Sequence, residues 1–110
     1  MKYIIPENKL DKIIFKYLDN TLKNLEKRKA KFYDGIVYGF PDEEYGILGY
    51  KYDGTLYVYY ELIEEISNGF GLKESDSKSL IGRWASDRLK LYVMNTNFVR
   101  YHLHYLSSID

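Results

Sequence analysis

His102 and His104 are the chain's only histidines, and on an extended segment their i, i+2 spacing places both imidazoles on one face. Two imidazoles can begin a zinc or nickel site, but a catalytic zinc uses about three protein ligands and a structural one four. The chain has no cysteine to complete such a set. An exposed pair, or a pH-sensitive contact at an interface, is the plainer reading. Glu61, Glu64 and Glu65 could supply paired carboxylates for acid-base work or for a divalent cation. Their place at the start of an expected helix gives them a simpler role, since acids there complement the helix dipole.

Asn68-Gly69-Phe70-Gly71 contains a G-x-G but follows a helical pattern instead of a strand, so helix capping explains it better than a phosphate loop. Ser86-Asp87 with His102 could suggest a triad, yet no nucleophile-elbow pattern surrounds the serine. Trp84, flanked by Arg83, Asp87 and Arg88, has the composition of an interface anchor. Its helical spacing from Leu80 and Ile81 fits a core tryptophan better. No catalytic residue, cofactor site or metal site is therefore expected.

Tyrosine is the compositional clue, with 13 in 110 residues. Its ring gives a large contact area and its hydroxyl a polar handle, a combination suited to surfaces that must be both wet and adhesive. Charge is balanced overall but unevenly spread. Residues 1–31 carry nine Lys or Arg against four acids, residues 32–67 one against eight, and the remainder six against four. A basic first third and an acidic middle can attract one another within the fold or between subunits. The chain length suits a single domain, 1–110, burying roughly 65% of the surface its unfolded form exposes. Nothing in it reads as a signal peptide or a membrane span, and a cytoplasmic setting is the expectation.

The tyrosines are positioned by a hairpin and the helix after it, Tyr45 to Ile66. Asp53-Gly54 between two aromatic-rich runs suits a two-residue type I′ turn. Strands are expected at about 32–40, 45–52 and 55–60, with 41–44 as the first connection. The two-residue turn pairs Tyr52 with Thr55, Tyr50 with Tyr57 and Leu48 with Tyr59, and a simple hairpin at 41–44 pairs Tyr38 with Ile47. Ile36, Tyr38, Phe40, Tyr45, Ile47, Leu56, Val58 and Tyr60 then form a core face. Tyr33, Gly35, Val37, Gly39, Leu48, Tyr50, Tyr52, Thr55, Tyr57 and Tyr59 form a platform of rings and glycines. A one-residue bulge would exchange these assignments over part of a strand.

Around the hairpin, Leu10, Ile13, Ile14, Tyr17, Leu18, Leu22 and Leu25 recur at helical spacing. Pro6 or Asn8 is expected to start this helix, and Lys27, Arg28, Lys29 and Lys31 fall at its C-terminal end, as dipole complement or as a phosphate-binding patch. A second helix is expected from about Tyr60 to Ser67-Asn68-Gly69. A third, capped by Ser75, Asp76 or Ser77, carries Leu80, Ile81, Trp84, Ala85 and Leu89. Gly82 within it costs on the order of 1 kcal/mol against alanine, which suggests a close contact there. The tail alternates again, as two short strands around Asn95-Thr96-Asn97. The expected class is α+β: an N-terminal amphipathic helix, a three-stranded antiparallel meander, two helices, and a C-terminal strand or hairpin. Its core should hold Ile36, Phe40, Ile47, Val58, Leu62, Ile66, Leu80 and Trp84.

The run GTLYVYYELIEEISNGFGL followed by LIGRWASDRLKL resembles short uncharacterised open reading frames of bacteriophages. The shared features are a D-G turn, a Tyr-rich strand, a helix ending in F-G-L and a helix with a central Trp. The resemblance implies a host-cell cytoplasm or a virion as the setting and action by binding, with no catalytic residue attached. The expected function is accordingly a non-enzymatic, homo-oligomeric protein-interaction module, with a host or virion protein as another possible partner. It would bind through Tyr33, Leu48, Tyr50, Tyr52, Tyr57 and Tyr59. Base stacking on the same platform, with Lys27, Arg28, Lys29 and Lys31 holding phosphates, is the alternative. The platform could also be covered by the N-terminal helix.

Overall fold

Glu7–Thr21 forms the first helix, α1, in a computed structural model that describes residues 7–104, with side chains from Lys9 onward. Ile14, Leu18 and Leu22 of its apolar stripe are buried, Leu10, Tyr17 and Leu25 pack at the margin, and Ile13 stays 47% exposed. Of the two expected starts, Pro6 lies outside the described residues and Asn8 falls within α1, after Glu7. Among the described residues, no helix is long and apolar enough to cross a membrane.

After α1 the chain turns through Asn24, at φ 67°, and enters β1 (Glu26–Lys29). The basic run is therefore not the end of a helix, as its position suggested, but an edge strand of the sheet. Charged side chains suit that place because they discourage pairing with another chain. β2 (Gly35–Gly39), β3 (Leu48–Lys51) and β4 (Thr55–Tyr59) continue an antiparallel meander. α2 (Tyr60–Phe70) and α3 (Glu74–Arg88) follow, and β5 (Asn95–Val99) then joins β4 in parallel. Parallel neighbours need a long crossover, which the two helices supply. The result is an α+β fold with a five-stranded sheet, ordered β1-β2-β3-β4-β5. β1 is the strand that was not expected; the expected C-terminal element is the single strand β5, which runs through Asn95-Thr96-Asn97 where two strands were expected to meet.

The register differs from expectation at β3. Lys51 pairs with Thr55, Tyr50 with Leu56 and Leu48 with Val58, leaving Tyr52, Asp53 and Gly54 as a three-residue connection. A type I′ turn would need positive φ at both Asp53 and Gly54. Only Gly54 adopts it, at φ 105°. Asp53 instead accepts the Thr55 amide on its Oδ1 at 3.0 Å, while the Gly54 amide donates to the Lys51 carbonyl at 2.9 Å. This hydrogen bonding inserts one residue, and a one-residue slip turns a strand over. The 41–44 connection compensates on the other side, so that Tyr38 pairs with Leu48. β2 and β4 keep the faces read from the sequence and β3 alone is reversed.

All three helices pack on the sheet face bearing Tyr38, Leu48, Tyr50, Leu56 and Val58. Leu62, Ile63 and Ile66 of α2 and Leu80, Ile81, Trp84 and Ala85 of α3 complete this core. Of the expected core residues, Val58, Leu62, Ile66, Leu80 and Trp84 are buried, while Ile36, Phe40 and Ile47 pack against it half-buried. α2 ends at Gly71, in the left-handed region at φ 66°, with its amide on the Ser67 carbonyl, two residues beyond the expected stop. α3 starts at Glu74, one residue ahead of the expected caps, and buries Ser77, whose Oγ lies 2.7 Å from that of Ser67.

Gly82 marks the close approach of α3 to β5, since a Cβ there would lie 2.4 Å from Thr96 Oγ1. Helix propensity alone favours Gly82→Ala by about 1 kcal/mol. The contact reverses that sign: chemical denaturation should find Gly82→Ala less stable than the parent. Gly82→Ala with Thr96→Ala should recover the loss, because the Thr96 Cβ is 3.5 Å away.

Candidate binding cleft on the helix-free face

With α1, α2 and α3 on one side, the other side of the sheet presents Gly35, Val37 and Gly39 from β2, Gly49 and Lys51 from β3, and Thr55, Tyr57 and Tyr59 from β4. The expected cover by the N-terminal helix is on the opposite face. The chain after β5 crosses this side instead. Leu103 is buried against Ala30, Val37 and Val99, its carbonyl accepts the Gly46 amide at 2.8 Å, and the His104 carbonyl accepts the Lys31 amide at 3.2 Å. Gly46 allows the approach, because a Cβ there would meet Val37 Cγ1 at 2.1 Å.

The crossing segment leaves an aromatic cleft of about 490 Å³ beside it. Its floor is Tyr33, Tyr57 and Lys51, and its wall runs from Tyr101 through His102, Leu103 and His104 to Phe32. The Tyr33 and Tyr57 rings lie 5.8 Å apart at 58°, and Phe32 meets His104 edge-on at 5.5 Å. Phe32 and Tyr101 are 72% and 63% exposed, so the mouth is lined with rings that face solvent. Among the described residues no carboxylate lines it, and its charged member is Lys51, in a long 3.9 Å contact with Asp53 on the exposed turn. Across His102 lies a smaller cleft of about 330 Å³ whose lining includes Glu43, Tyr45, Tyr59 and Glu61. His102 stacks on Tyr45 at 3.9 Å and 26°, forming the partition.

Tyr33 is the unusual group. Its ring lies in the space left by Gly35 and Gly49, and a Cβ at Gly49 would fall 2.3 Å from its hydroxyl. That hydroxyl is buried with no hydrogen-bond partner among the described residues. Burial, reinforced by the nearby Tyr57 and Tyr101 phenols, pushes its pKa up to about 12. Gly49→Ala should evict the ring, at a cost of about 1–3 kcal/mol. In an ultraviolet pH titration, the most basic phenol of the parent should then be replaced by one near the ordinary value of about 10.

The six tyrosine-platform residues divide in consequence of the reversed β3. Tyr33 and Tyr57 meet in the cleft and Tyr59 lies beyond it toward His102, with the rings of Tyr59 and His102 6.2 Å apart. Leu48, 0% exposed, and Tyr50, 7% exposed, sit in the core on the other face, where the Tyr50 hydroxyl donates to the Tyr92 carbonyl at 2.7 Å. Tyr52 is on the turn, 63% exposed. Lys27, Arg28 and Lys29 lie along the edge strand, Lys27 and Lys29 on the helix side by pairing with Tyr38 and Ile36. Arg28 pairs with Val37 and so faces the helix-free side, and Lys31 Nζ lies 5.6 Å from the Phe32 centroid at the cleft mouth.

Gly69-Phe70-Gly71 ends α2, Glu65 accepts the Tyr17 hydroxyl, and Asp87 pairs with Arg88. Among the described residues, no group of three or more His, Asp or Glu could hold a metal ion. Sequence reasoning missed Phe32, Lys51 and Tyr101 as cleft residues and gave His102 and His104 no partner rings. Alternation at Val99, Tyr101 and Leu103 was the available signal, but it reads as a strand and not as a crossing segment. Comparison with protein-family models, curated proteins and solved structures finds no match.

Proposed function

We propose that this chain is a non-enzymatic interaction module, homo-oligomeric in solution, that engages its partner through the helix-free, Tyr/Gly-rich sheet face. The observation that carries this reading is the aromatic cleft with solvent-facing Phe32 and Tyr101 at its mouth, on the side that carries no helix. Exposed apolar surface that clusters in one place commonly marks an interaction site. The basic edge strand and the acidic residues near the second cleft, Glu43 and Glu61, give two copies complementary charge. A phage-encoded protein acting in its host's cytoplasm is the setting that suits this role. Light scattering across a range of concentrations should give a mass above one chain, and Tyr101→Asp should return it to the monomer. A monomeric parent would rule the reading out.

Single-strand nucleic-acid binding is the second reading, favoured by Lys31 over Phe32 and by Lys51 in the cleft. It requires affinity for mixed oligonucleotides that falls steeply with salt and weakens on charge reversal at Lys31. The placement of Lys27 and Lys29 on the helix side of the sheet counts against a continuous phosphate track.

A further inference from the structure

We propose that the cleft formed by Tyr33, Lys51, Tyr57 and the segment Tyr101–His104 is a small-ligand site for a planar heteroaromatic ring carrying a phosphate, a nucleotide being the representative. This goes beyond the interaction reading, because it stands on the cleft alone and holds whether or not the face also docks a second chain.

Three features select the ligand. The volume, about 490 Å³, falls in the range of small-molecule sites, roughly 300–1,000 Å³. The lining is dominated by rings, whose faces and edges accept a planar ring by stacking. Its polar groups are few. The Tyr33 hydroxyl is shut off from solvent beside Gly49, so Tyr33 offers a ligand only its ring, which leaves Lys51 as the charged group a ligand can meet. Lys51 supplies a positive charge with no carboxylate among the described lining residues to answer it, and its 3.9 Å contact with exposed Asp53 leaves it able to meet an anion. An apolar side chain from a second copy would fill the space but would leave the ammonium unanswered.

The same chemistry can come from a free nucleotide or from one unit of a single strand, and titration distinguishes them. The ¹⁵N-labelled full chain is titrated with AMP, with UMP, with adenosine and with a short oligouridine, following amide shifts. Saturable shifts from AMP or UMP at Tyr33, Lys51, Tyr57 and Leu103 support the proposal. Adenosine, lacking the phosphate, should bind about tenfold more weakly than AMP, and Lys51→Met should remove that difference. Oligouridine binding far tighter than UMP, with steep salt dependence, would identify a strand as the source. If none of the four shifts these amides at millimolar concentration, the proposal is overturned. An oligomeric mass with no nucleotide binding would overturn it and leave the interaction reading standing; nucleotide binding by a monomer would do the reverse.

Discussion

Leu48→Asp should leave the chain unfolded at room temperature, and Leu48→Ala should cost about 2–5 kcal/mol in denaturant titration. Tyr52→Asp, four residues on, should change stability by less than about 0.5 kcal/mol. The contrast follows from the reversed third strand, which buries Leu48 completely beneath the helices and leaves Tyr52 on the exposed turn. A two-residue Asp53-Gly54 turn would give Leu48 and Tyr52 a shared, helix-free face, and both substitutions would then be mild. Circular dichroism of the two aspartate variants therefore reads the register directly.

Trp84→Ala should cost about 3–5 kcal/mol, the second large effect. Trp84 is buried in α3 against the main core, and its Nε1 donates to Asp19 Oδ1 of α1 at 2.8 Å. Trp84→Phe keeps most of the packing and drops that hydrogen bond, for about 1 kcal/mol plus the smaller ring. Asp19 also accepts from Arg88 Nε at 2.9 Å, and the Arg88 bonds, then the indole, hold its carboxyl below the ordinary value of 3.8. A carboxyl depressed in the folded state stabilises fully above its unfolded-state pKa and loses that contribution as pH falls through the folded one. Asp19→Asn should thus be less stable than the parent near neutrality, and the gap should close as pH drops below about 4. A gap independent of pH would mean that the carboxylate's charge contributes nothing to joining α1 and α3.

What could be read from residues alone follows from which signals are local. The helices were legible because Ile14-Leu18-Leu22 and Leu80-Ile81-Trp84 repeat at helical spacing and need no distant partner. β2 and β4 were legible because Val37 and Val58 sit in alternating runs. The turn was not, because Asp53-Gly54 serves a two-residue and a three-residue hairpin equally, and the choice lies in whether the Asp53 carboxylate bonds the Thr55 amide. β1 was hidden because a charged edge strand shows no apolar alternation, so Glu26–Lys29 resembled the polar end of a helix. Parallel pairing of β5 with β4 and the path of residues 100–104 depend on a long crossover and on glycine at position 46. Tyr33, Tyr57 and Tyr59 lie on the helix-free side, as the alternation in the sequence suggested. The shape of that side changed from a flat platform to a cleft, because Leu48 and Tyr50 left it and Phe32, Lys51, Tyr101 and the histidines entered.

The central claim is that the helix-free face is where this protein meets its partner. Light scattering on the parent and on Tyr101→Asp tests it most directly, against a chain mass of 13.1 kDa. The account predicts a parent mass that is a multiple of that value and a folded variant at the single-chain mass. A parent that remains at 13.1 kDa across the accessible concentrations, or a Tyr101→Asp variant that assembles as the parent does, would contradict it.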